Sequence, residues 1–348
     1  MYESIRIQNF RGLKDLTIEN LGRVNLLVGA NNVGKTSVLE AIWLLGHPAE
    51  PERIIDLARR RRGEETGPLS PESVWFSLFG NLTPELPVTV TGKSRDEFEE
   101  TLSIVYDPEN SDVVWNGGGR RSGGEALHFL FDTTETNRAT ETRMTFDSDG
   151  EFAGPNRELE GRASGFLPAG GRLTATELAA KLTQADDMGY LFRAVDALTV
   201  TEPRVEGVSL GFNEAERRPF VRVRLRDVQR PVPIDLLGTG SQRLVDIVFS
   251  IIDSGQGTFL VDEIGEGFYY DALPDMWRTV LTTARTGDVQ VFATTHSLEC
   301  IEAAVAAFAD NQDDFRMHRI SRRDTGLHAT TYDFEAAEAS LEIRVEVR

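Results

Sequence analysis

The chain has 348 residues, 40% of them hydrophobic and 27% charged, with a formal net charge of −19. That is long enough to bury a full core in one large domain or two modest ones, and the composition is that of an ordinary globular protein. No apolar run reaches the roughly 18 residues needed to cross a bilayer, Met1–Gly12 lacks the pattern of a signal peptide, and the lone Cys300 excludes an internal disulfide framework, so a cytoplasmic protein is expected.

Strong acidity opposes non-specific attraction to nucleic-acid phosphates but leaves room for a local basic patch, for which Arg59–Arg62 is one candidate, a solvated helix end being the preferred reading of that run. Lysine occurs only at Lys14, Lys35, Lys93 and Lys181, so nearly all positive charge is arginine.

In chain order, Ser4–Asn9 alternates as a strand, Val24–Val28 is a short apolar strand ending at Gly29, and Lys35–Leu45 carries apolar residues at helical spacing. Pro87–Thr91, Glu100–Tyr106 and Arg143–Phe146 read as strands between glycine-rich breaks at 116–119 and 122–124. Thr174–Asp196 reads as one helix, and Arg204–Leu210 and Phe220–Leu225 as strands. From Ser241 the pattern alternates: helix to Ile252, strand Thr258–Val261, helix Ala272–Ala284, strand Val289–Ala293, helix Leu298–Ala307. Such alternation predicts an α/β core with a largely parallel sheet. Four segments follow: residues 1–49 and 204–348 as two parts of a nucleotide-binding core, 50–170 as an inserted antiparallel β lid, and 171–203 as a helical insertion.

Gly29-Ala-Asn-Asn-Val-Gly34-Lys35-Thr36 fits G-x-x-x-x-G-K-[ST] without a mismatch, between a strand and a helix. Glycines at both ends let backbone N–H groups turn inward around an anion, and the helix adds its positive end to the same spot. Lys35 is placed to reach β- and γ-phosphate oxygens, and the Thr36 hydroxyl to ligate Mg²⁺. The apolar strand Thr258–Val261 ends in Asp262 and Glu263; Asp262 is the candidate second magnesium holder and Glu263 the group that orients the attacking water. His296, just past the strand Val289–Ala293, is the candidate γ-phosphate contact, a capping or packing histidine being the alternative. Leu236–Arg243 is a glycine loop opening a helix ahead of the two acids, a candidate second anion site, an ordinary helix start being the alternative. The remaining histidines show no ligand spacing, and no zinc site is predicted.

Ile7–Gly12 followed by Val24–Ala41 resembles the opening of the SMC, RecF and OLD group of ABC ATPases. The stretches Leu237–Leu244, Leu260–Tyr270 and Val289–Cys300 most resemble the OLD-like members, many of which belong to bacterial antiphage defence operons. The likeness is loose over residues 50–230, while Ile343–Arg348 resembles a family terminus. It implies an ABC-ATPase head: a P-loop fold with a mixed sheet, flanking helices, an inserted antiparallel β-subdomain and a short helical insertion. It also implies a homodimer of heads, with higher assembly open, and ATP and Mg²⁺ sandwiched between the P-loop of one head and the glycine loop of the other. By that carry-over Arg11, Asn31, Asn32 and Ser37 lie around the phosphates, while Gly238, Gly240 and Ser241 make the contact across the dimer. Three departures stand out: Gly238 replaces the signature serine, Gly265 and Tyr269 replace a family acid and histidine, and no Q-loop glutamine can be placed. Only 52 residues follow His296, too few for a TOPRIM nuclease, with Asp310, Asp313 and Asp314 in an expected loop. A separate effector protein is therefore expected, and no membrane. The competing readings are a RecF-type DNA-repair ATPase that clamps duplex DNA and a nucleotide-binding scaffold with little turnover.

Overall fold

The computed structural model describes the chain apart from residues 49, 51, 63–73, 109–111, 115–119, 123–125, 147–151, 154–163, 216, 325 and 343–348. The glycine-rich breaks near 116–124 and the terminal run 343–348 thus lie wholly or largely outside the described residues.

The chain opens with β1 (Tyr2–Phe10), β2 (Leu13–Ile18) and β3 (Val24–Val28), then α1 (Lys35–Leu45) and α2 (Arg53–Arg62). A strand-rich stretch follows: β4 (Val88–Ser94), β5 (Glu99–Asp107), β6 (Asp112–Val114), β7 (Arg120–Ser122), β8 (Ala126–Thr133), β9 (Arg138–Phe146), β10 (Phe152–Ala153) and β11 (Ser164–Leu167). Two helices, α3 (Ala175–Asp187) and α4 (Leu191–Thr201), lead to β12 (Val205–Asn213), β13 (Arg218–Leu225) and β14 (Val232–Pro233). The remainder is α5 (Thr239–Asp253), β15 (Thr258–Val261), α6 (Leu273–Gly287), β16 (Gln290–Thr294), α7 (Leu298–Phe308), β17 (Phe315–Arg323), β18 (Gly326–Tyr332) and α8 (Phe334–Glu342).

The core sheet has the order β11-β15-β16-β3-β17-β18, parallel throughout except for the β17–β18 hairpin. Its central strands β3, β15 and β16 are buried along their whole length and are predominantly apolar, as parallel strands under two layers must be. Val24, Leu26, Val28, Phe259, Val261, Val291 and Ala293 face the cluster built on α5, α6 and α7. Leu27, Leu260 and Phe292, one residue out of step, face the opposite way, into a second cluster around α1.

Covering the other side of α1 is a sheet of order β10-β9-β8-β5-β4-β1-β2. Ile5, Ile7, Val88, Val90, Leu102 and Ile104 point from it onto the helix. Sandwiched between two sheets, α1 buries ten of its eleven residues, which is why it is apolar on every face rather than on one stripe. Each Leu, Ile or Val fully buried there stabilises the fold by about 1.5–3 kcal/mol. The helix also buries Glu40, an acid that needs a partner in such a place and has one in Arg11.

Several expectations are altered by packing. The single helix read over Thr174–Asp196 is two helices, because Gly189 takes φ 75° and reverses the chain between α3 and α4. The antiparallel sheet draws β1 and β2 from the N-terminal segment, and β11, within the 50–170 stretch, pairs in parallel with β15 in the core. The strands β2, β8, β17 and β18 and the helix α8 escape sequence reading; β17 hides Phe315, Met317 and Ile320 among arginines. Arg59–Arg62 forms the last turn of α2, and Gln312–Asp314 is a short 3₁₀ turn in which Asp314 pairs with Arg23.

Candidate nucleotide site

Four segments meet at the C-terminal edge of the core sheet, where α/β folds bind ligands. The loop after β3 turns on Gly29, at φ 140°, and enters α1 through Gly34, at φ 98°. A Cβ on Gly29 would lie 2.3 Å from the Ile320 carbonyl oxygen, so only glycine fits there. Asn32 also adopts a left-handed conformation, at φ 61°, while its side chain and that of Asn31 stay exposed. Lys35, the first helical residue, folds back so that Nζ donates to the carbonyls of Gly29, at 2.8 Å, and Ala30, at 3.2 Å. Burial pushes the Lys35 ammonium down from its ordinary value, against the opposing pull of Glu263 and Asp262. Ser37 is buried at the first turn of the helix.

Asp262 leaves the end of β15 with its backbone N–H bonded to the Leu167 carbonyl of β11, at 2.9 Å. Its carboxylate is held at both oxygens: Thr36 donates to Oδ2 at 2.9 Å and Thr294 to Oδ1 at 2.5 Å. The first contact joins residues 226 positions apart in the chain. Burial raises the Asp262 carboxyl above the usual range, and the two hydroxyl donors partly offset it. Glu263 sits at φ 48°, with its N–H donating to the Thr294 hydroxyl at 2.8 Å. Its carboxylate accepts from His296 Nδ1 at 2.8 Å. His296 is 61% exposed and Glu263 25%, so the pair faces solvent above the buried Asp262. A hydroxyl and a carboxylate beside a glycine-lined nest are hard oxygen donors of the kind Mg²⁺ with a triphosphate takes.

The glycine loop ahead of α5 is placed differently. Gly238, the N-cap of α5, is exposed. Gly240 packs so closely on the segment after Glu263 that a Cβ there would lie 3.0 Å from the Gly267 carbonyl. Ser241 is 5% exposed and accepts a 2.7 Å hydrogen bond from Thr201 of α4, so its hydroxyl is turned inward. Arg11 is likewise committed to the buried ion pair with Glu40, with its guanidinium 5.1 Å from the Phe10 ring centroid.

Sequence reasoning missed three structural residues. Thr294 bonds both Asp262 and Glu263, yet a threonine in an apolar strand carries no signal of that role. Arg243 donates from Nη2 to the backbone oxygens of Asp262, at 3.1 Å, and Pro168, at 3.3 Å, and from Nη1 to that of Gly171, tying α5 to the acid strand. Glu266 accepts from the Gly170 N–H at 2.7 Å, closing the same corner. The Pro168–Arg172 loop continues β11 beside Asp262, and it holds no glutamine.

Solved structures share this architecture. An Smc head domain with an extended coiled coil, bound to the C-terminal domain of ScpA, from Pyrococcus furiosus, superposes with a TM-score of 0.50 at 11% identity, over 99% of each chain. An SmcHead bound to the C-winged helix domain of ScpA gives a TM-score of 0.50 at 12% identity, over 97% of this chain and 99% of that one. The fold is that of an ABC-ATPase head, and residues 29–36 carry the P-loop pattern. Residues 24–302 match the family described as "AAA domain, putative AbiEii toxin, Type IV TA system", and the chain belongs to that family. An ATP/GTP phosphatase of Helicobacter pylori is 21% identical over 339 residues, 87% of each chain. A RecF DNA replication and repair protein of Oenococcus oeni is 23% identical over 186 residues, 45% of this chain and 46% of that one. An uncharacterised protein of Methanocaldococcus jannaschii is 52% identical over 102 residues, 29% of this chain and 46% of that one.

Proposed function

We propose that the chain is an OLD-like ABC ATPase that works as an ATP-driven dimeric switch, with Lys35, Thr36, Asp262, Glu263 and His296 as its working groups. The observation that carries the reading is the meeting of the Thr36 hydroxyl and the Asp262 carboxylate at 2.9 Å, with the Glu263–His296 pair beside them. The amides of residues 29–36 and the N-terminus of α1 would hold the phosphates, and Lys35 would exchange its two carbonyl partners for β- and γ-phosphate oxygens. Thr36 and Asp262 would hold Mg²⁺, which when bound neutralises charge on the phosphates. Glu263 orients and deprotonates the attacking water, and His296 keeps its carboxylate in position.

Dimerisation is supported by the exposed apolar surface beside the glycine loop. Leu236, two residues before Gly238, is 72% exposed, and Tyr269 and Tyr270, just past the Gly267 that packs on Gly240, are 67% and 62% exposed. A second head covering Gly238 and these side chains would close over bound ATP, with the trans contact made by backbone N–H groups because Ser241 is turned inward. The region 50–170 would act as a lid over α1. The family description names a toxin and a type IV toxin–antitoxin system, which supports a two-component module in which this ATPase controls a separate effector; antiphage defence is the setting that the OLD-like resemblance implies.

Glu263→Gln tests the catalytic part: turnover should fall at least about a hundredfold while ATP is retained, and the loaded variant should run as a dimer in light scattering. Unchanged turnover, or ATP uptake without any change of mass, would overturn the reading.

A further inference from the structure

The chain is strongly acidic, yet residues 204–230 hold seven arginines against four acids, far from the Arg59–Arg62 run that the sequence alone suggests as a basic patch. The pairing of β12 with β13 sorts these residues onto one face. In register, Arg218 lies opposite Asn213, Phe220 opposite Gly211, Arg222 opposite Ser209 and Arg224 opposite Gly207. Alternate residues share a face, so β13 presents Arg218, Phe220, Arg222 and Arg224 in a row while β12 presents Gly207, Ser209, Gly211 and Asn213 beside them, with one acid, Glu206, in the bulge before Gly207 and paired with Arg226 at 3.3 Å. The other face of the hairpin carries Val205, Val221, Val223 and Leu225, which are buried in the helical cluster with Ala185, Ala194 and Leu198. One face is therefore anchored and the other is turned outward.

The small residues shape that outer face. A Cβ on Gly211 would lie 2.7 Å from Phe220 Cζ and 2.9 Å from Arg222 Cδ, so both side chains lie flat across the neighbouring strand. Arg222 is held there by a 2.6 Å hydrogen bond to the Leu210 carbonyl. Arg224 and Arg218 stand exposed at either end of the row, and Arg217 is exposed at the tip. Alternate residues of a strand are about 6.6 Å apart. That spacing is close to the distance between successive phosphates of an extended nucleic-acid strand, and a flat aromatic ring among arginines is the platform such strands stack on.

We propose that the outer face of the β12–β13 hairpin binds the phosphodiester backbone of a nucleic acid, with Arg218, Arg222 and Arg224 on phosphates and Phe220 under a base. The negative charge of the rest of the chain does not prevent this, because at physiological salt its repulsion is screened beyond about 8 Å. Binding through this face is separate from ATP hydrolysis, since none of these residues lies at the nucleotide site.

Fluorescence anisotropy of the full chain with labelled 20-nucleotide single strands and 20-base-pair duplexes, from 50 to 200 mM salt, tests the assignment. Binding to either should weaken as salt rises, with a log–log slope near −0.7 per contacted phosphate for a single strand and −0.9 for a duplex. The paired substitutions Arg218→Glu and Arg224→Glu should weaken binding by at least about tenfold and flatten the slope by roughly two contacts, with ATP turnover and melting temperature unchanged. Phe220→Leu, which keeps an apolar side chain in place, should weaken single-strand binding more than duplex binding if a base stacks there. The proposal fails if neither nucleic acid binds at 50 mM salt, or if the double substitution leaves affinity and slope unaltered. It also fails if an acidic polyglutamate peptide binds this face and the oligonucleotides do not. None of these failures bears on the ATPase reading, which Glu263→Gln tests by itself.

Discussion

Gly265 and Cys300 occupy adjoining space behind the acidic end of β15: a Cβ added at Gly265 would lie 3.1 Å from the Cys300 sulfur and 3.3 Å from its Cβ. The departure at Gly265 from the acid that the OLD-like resemblance implies thus has a steric counterpart in the first turn of α7. Cys300 is fully buried, and burial pushes its thiol up to about 11, so it acts as a packing group rather than a nucleophile.

From that contact, Gly265→Val should destabilise the protein by about 1–3 kcal/mol through overpacking. Adding Cys300→Ala should recover part of the loss, giving a favourable coupling of roughly 0.5 kcal/mol or more in a double-mutant cycle. Denaturant unfolding of the four proteins measures it. Strict additivity would mean that the two sites relax independently.

Thr294→Val keeps the side chain's shape and removes its hydroxyl. Asp262 Oδ1 then loses its donor and the Glu263 N–H its acceptor, at an expected cost of about 1–3 kcal/mol in stability. Because the same hydroxyl aims the carboxylate proposed to hold magnesium, half-saturating Mg²⁺ in ATP turnover should rise about tenfold or more. A Mg²⁺ titration at fixed ATP reads this directly.

His296→Ala leaves Glu263 without the Nδ1 donor that orients it. With His296 largely exposed, folding should be little affected, and kcat should fall by about tenfold to a hundredfold with a smaller change in ATP affinity. Steady-state kinetics alongside nucleotide-binding calorimetry separate the two. A loss confined to affinity would make His296 a binding residue instead.

His318 predicts an acid weakness. It is wholly buried on β17, with Nε2 against Asn25 Oδ1 at 3.1 Å and Nδ1 against the Thr331 hydroxyl at 3.0 Å, and burial pushes it down to about 3. The folded protein therefore keeps this ring neutral while the unfolded chain takes up a proton near pH 6.5. Its stabilising contribution is complete above that pH and is lost as pH falls toward 3, at up to about 1.4 kcal/mol per pH unit. Urea unfolding at pH 7.5, 6 and 5 should show a steeper decline for the native sequence than for His318→Gln, which is less stable at neutral pH but no longer titrates. The raised carboxyls of Asp262 and Asp246 act in the opposite sense and are common to both proteins, so the difference isolates the histidine.

Much of the site was legible because its parts are local. A phosphate nest needs glycines and a lysine within eight consecutive residues, and a strand ending in two acids needs only six. The same holds for β3, β15 and β16, whose short, predominantly apolar runs mark strands buried on both faces. Arg11 shows the opposite case. Nothing in its local sequence pairs it with Glu40, because that ion pair exists only where β1 crosses over α1.

By itself, then, the sequence determined where the glycine–lysine loop, the acid pair and the histidine lie, and the strand–helix alternation that places them at one edge of a sheet. Tertiary structure alone decided that Thr294 would clasp Asp262, that Ser241 would turn inward, that Gly265 would face Cys300 and that scattered arginines would line a single face of a hairpin. The reason is physical: backbone propensity and hydrophobic period act over a few residues, whereas these contacts depend on strand register and on which surfaces two distant segments bury against each other.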